Sequence, residues 1–171
     1  MDLLELEQLD GAHAESVRAL LADCGDEFVP PLSTRHSTSQ SELGPHQPQG
    51  DGVSAYFEEM QRQPIILALE GSTLVGFLSY IPGFSLDFLP GPSCYVSTIC
   101  VSHAHRCRGI ASALYQRMEE LARPGIVSLR TWSTNHAQIA VLKRRGYDCV
   151  RRIADDRGEG IDTIYFAKSL G

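Results

Sequence analysis

The chain has 171 residues, with 15 Lys and Arg against 21 Asp and Glu, and a formal net charge of −6. That length makes one domain with its own hydrophobic core the simplest organisation, and the acidic balance argues against a nucleic-acid binder, which would be basic. The opening "MDLLELEQLD" lacks the positive region and apolar stretch of a signal peptide, and no apolar run approaches the roughly 18 residues of a membrane span.

The expectation is therefore a cytoplasmic protein without a membrane partner. Its five cysteines, Cys24, Cys94, Cys100, Cys107 and Cys149, form no C-x-x-C pair and read as reduced thiols. His103 and His105 form an H-x-H, but no carboxylate or cysteine cluster stands near them in sequence to complete a metal shell, so no metal is expected. The charge is uneven. Residues 1–70 hold thirteen acids against Arg18, Arg35 and Arg62, while residues 71–171 carry a net +4. Halves of opposite sign suit ligands of opposite sign.

In chain order, "DLLELEQL" alternates apolar and acidic residues as a short strand with one wet face. Val17, Leu20, Leu21 and Cys24 fall at i, i+3, i+4 and i+7, the stripe of a helix. Residues 30–52 are rich in Pro, Ser, Gly and Gln and read as a long loop, either a lid or a mobile segment. Val53, Tyr56, Phe57 and Met60 mark a second helix, and "PIILALE" and "TLVGFLSYI" flank Gly71–Ser72 as a hairpin. "GFSLDFLPGPS" is a loop and "CYVSTICV" a strand. A helix opens at Gly109, with Ile110, Leu114, Met118 and Leu121 on one side, and ends at Pro124–Gly125. "IVSLRTW" is a strand and "NHAQIAVLKRR" a helix, with Asn135 near its start and Gly146 as its C-cap. "CVRRI" and "DTIYFAKSL" close the chain as strands. The order is β-α-α-β-β-β-α-β-α-β-β, a mixed α/β domain over residues 1–171.

The junction "VSHAHRCRGIAS", Val101–Ser112, carries the chemistry. The first turn of a helix presents N–H groups without intrahelical partners and a partial positive charge, so anions bind there. Gly109 allows close backbone approach, Ala111 is small, and Arg106 and Arg108 bring forked cationic donors. The local design is that of a pyrophosphate cradle. Neither the P-loop pattern nor the G-x-G-x-x-G dinucleotide fingerprint occurs.

The segment "ICVSHAHRCRGIASALYQRM" resembles the signature of the GNAT superfamily of acyl-CoA N-acyltransferases, apolar-x-Val-x-x-x-x-[Arg/Gln]-x-x-Gly-x-[Gly/Ala]. Here it reads Ile99, Val101, Arg106, Gly109, Ala111 with every spacing kept. A second family segment, Asn followed by Gly-[Phe/Tyr], is matched by Asn135, Gly146 and Tyr147. The resemblance implies a mostly antiparallel central sheet of about seven strands with about four helices, and acetyl-CoA as co-substrate. It implies that the backbone of Ile99, Cys100 and Val101 pairs with the pantetheine arm. The N–H groups of Cys107, Arg108, Gly109, Ile110, Ala111 and Ser112 would hold the pyrophosphate, flanked by Arg106 and Arg108. Asn135 would contact the pantetheine. The implied reaction is direct acetyl transfer to a primary amine, with a backbone N–H stabilising the oxyanion. The acceptor would be a small molecule or peptide, and the charge asymmetry favours a cationic one. A homodimer is compatible with this reading.

Two family features are missing. The tyrosine expected seven residues after the Asn is Leu142, and "CYVSTICV" lacks the strand glutamate that serves as base. The catalytic groups are therefore unassigned. Glu58, Glu59 and Asp87 lie in segments that could border an acceptor site, although each reads more simply as a surface charge. Tyr115 and Tyr165 read as core, and Cys107 as a tolerated side chain in place of glycine. These gaps keep two rivals in view, a non-catalytic CoA-binding or sensing module and an interaction domain without cofactor.

Overall fold

The computed structural model describes residues 1–44 and 52–171. Seven strands form one sheet in the order β1-β2-β3-β4-β5-β7-β6. They are β1 (Asp2–Leu6), β2 (Ile65–Glu70), β3 (Thr73–Phe84), β4 (Ser93–Val101), β5 (Gly125–Trp132), β6 (Asp148–Ile153) and β7 (Thr163–Leu170). The four α-helices are α1 (Ala14–Gly25), α2 (Ser54–Met60), α3 (Ile110–Leu121) and α4 (His136–Arg144). Element order is as the sequence led us to expect, and no helix among the described residues is long and apolar enough to cross a membrane.

All neighbouring strands run antiparallel except β4 and β5. That parallel pair is short, with Cys94–Val96 opposite Val127–Leu129 and nothing beyond. Past Val96 and Leu129 the two central strands part. A bulge in β4 accompanies the parting: Tyr80 faces Val96 and Ser79 faces Thr98, leaving Ser97 as the extra residue.

Each face of the sheet buries its own apolar cluster. On one, Ile110, Leu114, Tyr115 and Met118 of α3 and Leu142 of α4 pack on Ile66, Leu78, Val96, Val127 and Leu129. On the other, Val17, Leu20, Leu21 and Cys24 of α1 and Tyr56, Phe57 and Met60 of α2 cover Ile65, Leu67, Phe77 and Cys100. The stripes expected for α1 and α2 are thus the buried ones. In α3 the expectation fails at one point. Leu121 is 39% exposed, while Tyr115 and Glu119 are buried. Tyr115 and Glu119 each follow an apolar stripe residue, Leu114 and Met118, so the buried face widens on that side, and Leu121 falls beyond it.

Two further differences have local causes. β3 runs on to Phe84, and an irregular pairing between Ile81 and Phe84 absorbs Pro82 and Gly83. Residues 30–44, read as loop, are packed onto the sheet. Leu32 and Leu43 are buried, and the Gln40 side chain accepts from the N–H groups of His36 and Ser37 and donates to the Glu42 carbonyl. A few anchoring side chains hold a segment whose composition reads as loop. The remainder of the expected loop, residues 45–51, lies outside the described residues.

Candidate functional site

Where β4 and β5 part, a cavity of about 550 Å³ passes between them. Its walls come from β4 after the bulge, the 103–112 segment, β5 beyond Leu129 and the start of α4. On the far side it reaches Phe28, Arg130 and Trp132. Every expected site residue lines it except Arg108.

The cradle is a backbone structure. His103–His105 form a single 3₁₀ turn, and the chain then passes through Cys107 at φ +60° and Gly109 at φ +80° before α3 begins. Two left-handed residues so close together turn the chain sharply ahead of α3, a backbone geometry of the kind that forms anion-binding nests. Among the described residues, no acceptor is bonded to the N–H groups of Cys107 through Ser112. The first N–H of the segment to be used is that of Ala113, which donates to the Gly109 carbonyl at 3.0 Å. Gly109 is required by its φ, and the space where a Cβ would stand is open. Gly76 serves the same end from below. A Cβ there would meet the Cys100 carbonyl at 3.0 Å and Ile110 Cγ2 at 3.1 Å, so its absence lets α3 begin close to the sheet.

Both arginines expected to flank the anion are engaged with carboxylates. Arg106 makes two hydrogen bonds of 2.7 Å to Glu27 and one of 3.1 Å to the Val101 carbonyl. Arg108 pairs with Glu70 at 3.0 Å. The histidines of the H-x-H diverge as well, His103 to Glu27 at 2.7 Å and His105 to Glu70 at 3.8 Å. Cys24 Sγ, a Glu27 oxygen and a His103 nitrogen lie within 4.8 Å of one another. Arg106 already supplies the positive charge there, since it holds both Glu27 oxygens and reaches Cys24 Sγ. Its hydrogen bonds hold the Glu27 carboxyl below the usual carboxylate range, although burial opposes them.

Asn135 caps α4. Its Oδ1 accepts from the Gln138 N–H, and its Nδ2 donates to Thr131 Oγ1 at 3.1 Å, which ties the helix start to β5. Gly146 closes α4 at φ +80°. Leu142 is fully buried in the core beneath α4. Tyr115 is also buried but touches the cavity, and its hydroxyl accepts a short hydrogen bond from Gln138 Nε2. Cys24 and Cys100 perturb each other, the Cys24 thiol being held below and the Cys100 thiol above the ordinary thiol value.

None of Glu58, Glu59 and Asp87 lines the cavity. Glu59 accepts from the Thr38 N–H, and Glu58 from Gln61. A hydrogen-bonded chain does link the bulge to Glu59. Ser97 Oγ donates to Gln63 Oε1, Gln63 Nε2 to Thr38 Oγ1, and the Thr38 N–H to Glu59. It fixes the bulge but is not a proton wire, because an amide and a backbone N–H hand on no proton.

Sequence reasoning missed Ser97, Glu27, Phe28, Arg130, Trp132 and Gln138. Only Arg130 gave a signal, as a charge inside the apolar strand "IVSLRTW".

A family model described as the acetyltransferase (GNAT) family matches residues 29–147, which span α2 to α4 and include the cradle. No curated protein matches the sequence. Among solved structures, an N-acetyltransferase from Staphylococcus aureus Mu50 superposes with a TM-score of 0.70 at 18% identity, covering 100% of both chains. An aminoglycoside 6'-N-acetyltransferase complexed with coenzyme A gives 0.70 at 17% identity, over 99% of this chain and 97% of that one. NAA60 of Arabidopsis thaliana, in complex with a bisubstrate analogue, gives 0.68 at 17% identity over 99% of each. At these identities the structures speak for the fold, and the family model, spanning well over half of the chain, decides membership: the protein belongs to the GNAT acetyltransferase family.

Proposed function

We propose that the protein is an acetyl-CoA-dependent N-acetyltransferase acting on a primary amine. The observation that carries this is the open edge of β4 beyond Val96, which continues directly into six unpartnered N–H groups at the start of α3. An extended amide-bearing arm ending in a pyrophosphate matches both parts. The arm adds as a strand to an unpaired edge, and the anion takes the N–H groups. Backbone groups of Ile99, Cys100 and Val101 serve the arm, and those of Cys107–Ser112 the phosphates. Arg106 acts through its bonds to Glu27 and the Val101 carbonyl, which fix the turn, and Asn135 through holding α4 against β5.

Bound acetyl-CoA supplies an acetyl thioester. An amine attacks its carbonyl carbon, the C–N bond forms, the C–S bond breaks, and the amine's proton passes to solvent. A backbone N–H of β4 past the bulge is the oxyanion donor. A thiol with a pKa of about 8.5 leaves as thiolate without much help. The acceptor is harder: an amine of pKa about 10.4 is neutral only in about one part in 10³ to 10⁴ at pH 7.

Thiol release from acetyl-CoA over a panel of primary amines tests the reading. Turnover on any of them supports it. The second reading, a non-catalytic CoA-binding module, is favoured by the burial of Leu142 and by Glu27, the one carboxylate on the cavity wall among the described residues, being held by Arg106. Micromolar CoA binding without turnover on any amine would establish it.

A further inference from the structure

On the far side of the cavity, where it reaches Phe28 and Trp132, the chain has gathered three guanidiniums. Arg130 projects from β5 one residue past the last β4–β5 pair, on the cavity wall. Arg35, from the segment after α1, and Arg157, from the β6–β7 connection, are each 6% exposed. Both donate to the same carbonyl, that of Val29, at 3.3 and 2.8 Å. Arg35 stacks over Phe28 and Arg157 over Trp132, at 5.8 and 5.7 Å, and those two rings pack on each other at 5.6 Å. Since Phe28 and Trp132 line the cavity, Arg35 and Arg157 stand one ring behind its wall and Arg130 on it. Arg151, opposite Tyr165 on β6, extends the basic row across the sheet.

Among the described residues no carboxylate makes an ion pair with Arg35, Arg130 or Arg157. Their other partners are neutral oxygens: Arg35 has the Pro30 carbonyl, Arg130 the Gln40 carbonyl and the Tyr165 hydroxyl, and Arg157 the Thr163 Oγ1. Asp156 is near enough to favour the charge on Arg157, but its Oδ2 is the acceptor for Thr163 Oγ1. Burial, followed by the fields of Arg35 and Arg130, pushes Arg157 down to about 9. Like charges held together away from water destabilise a fold unless something of opposite sign joins them. The planar fork of arginine suits carboxylate and phosphate oxygens.

We infer that the acceptor is an anionic amine, a compact molecule that carries a carboxylate or phosphate within a few bonds of the nucleophilic nitrogen, with Arg130 contacting the anion. This rests on the acetyl-transfer reading above, and it opposes the sign that the uneven charge of the two sequence halves suggested. The short distance between the two groups follows from Arg130 lying one residue beyond the point where the strands part.

The test compares matched amines: β-alanine with β-alaninamide, and O-phosphoethanolamine with ethanolamine, with putrescine as the cationic member. Thiol release is followed for each, and separately the shift of the melting temperature caused by each amine alone. We expect at least one anionic amine to exceed its neutral counterpart in kcat/KM by about tenfold to a hundredfold. Whichever pair shows the gap tells carboxylate from phosphate. Arg130→Gln should raise KM for that amine by about tenfold or more and leave CoA affinity unchanged. Because Arg130 is only half-buried, this variant keeps the test open if Arg157→Gln does not fold. Preference for neutral amines or putrescine would overturn the inference while leaving acetyl transfer standing. Stabilisation by an anionic amine with no turnover on any would uphold the anion site and overturn the transfer reading. An unchanged KM in Arg130→Gln would overturn the assignment of Arg130.

Discussion

Glu119 is a carboxylate buried on α3, and its removal has a calculable cost. It is 5% exposed and accepts from Arg145 at 2.9 and 3.0 Å and from Lys168 at 2.9 Å. Arg145 also donates to Ser112 Oγ in the cradle. Glu119→Gln leaves two cations facing each other without their anion. Removing one partner of a buried pair costs about 3–5 kcal/mol. Here Arg145 and Lys168 keep side-chain exposures of 16% and 23%, so part of their hydration returns. The expected loss is then about 2–3 kcal/mol, or about 8 °C in melting temperature for a chain of this length. Circular dichroism melts of both proteins at pH 7 measure it, with Glu120→Gln on the surface of the same helix as a control that should not move. The pH dependence gives a second check. Burial raises the Glu119 carboxyl, but the bonds from Arg145 and Lys168 outweigh it, and the net position is below the ordinary value of 4.5. A depressed carboxyl stabilises the fold above its unfolded value, and that stabilisation fades as pH falls through the folded one. The gap between wild type and variant should therefore be full at pH 6 and shrink below about pH 4.5. A variant melting within about 2 °C of wild type at pH 7 would refute the reasoning and place Glu119 with ordinary surface pairs.

Gly109→Glu puts a strained residue at φ +80° with its carboxylate beside the cradle; CoA affinity by calorimetry should fall about 10²- to 10³-fold. The fold should survive, since a Cβ there meets nothing within 4 Å, and unchanged affinity would remove the cradle assignment. Tyr115→Phe should lower kcat less than about tenfold because the thiolate leaves unaided; a loss of about 10²-fold would make Tyr115 the proton donor. Leu142→Tyr overpacks a fully buried site and should cost about 1–3 kcal/mol in a denaturant titration. With an alkyl amine acceptor, kcat/KM should rise about tenfold per pH unit from 6 to 8, and a plateau in that range would reveal a base.

Much of this was legible because it depends on backbone and periodicity. The stripes of α1 and α2, the hairpin at Gly71–Ser72 and the glycine at the start of α3 each act through their immediate neighbours in sequence. What was not legible depends on contacts between distant segments. The ion pairs of Arg106 and Arg108 were not legible, because Glu27 and Glu70 lie far off in sequence and meet them only through the packing of α1 and β2. Ser97 gave no sign of the bulge, which depends on how β3 and β5 pair with β4. Arg35, Arg130 and Arg157 come from three separate segments, and nothing in the sequence says that they share one chamber. The net charge of each half does not show this grouping either: Arg35 belongs to the acidic half yet adds to the basic wall.

The two anion sites proposed above are built in different materials. The cradle uses main-chain N–H groups, which keep their polarity at any pH and are fixed by a turn that Arg106 ties to Val101 and that Gly76 lets sit close to the sheet. The chamber across the strands uses side chains, Arg130 from β5 and Arg35 and Arg157 from segments outside the central α3–β5–α4 unit. The proton falls between them. The wall carboxylate, Glu27, is a weak base because Arg106 holds it ionised below its ordinary range, and Tyr115 is raised by burial. Positioning is then what the protein contributes most, and two oriented reactants gain far more than one proton transfer supplies, about 7–11 kcal/mol against roughly 3–5. On the proposed reading, gripping both substrates by their anions accelerates the transfer by orientation, without an acid or base of the protein's own.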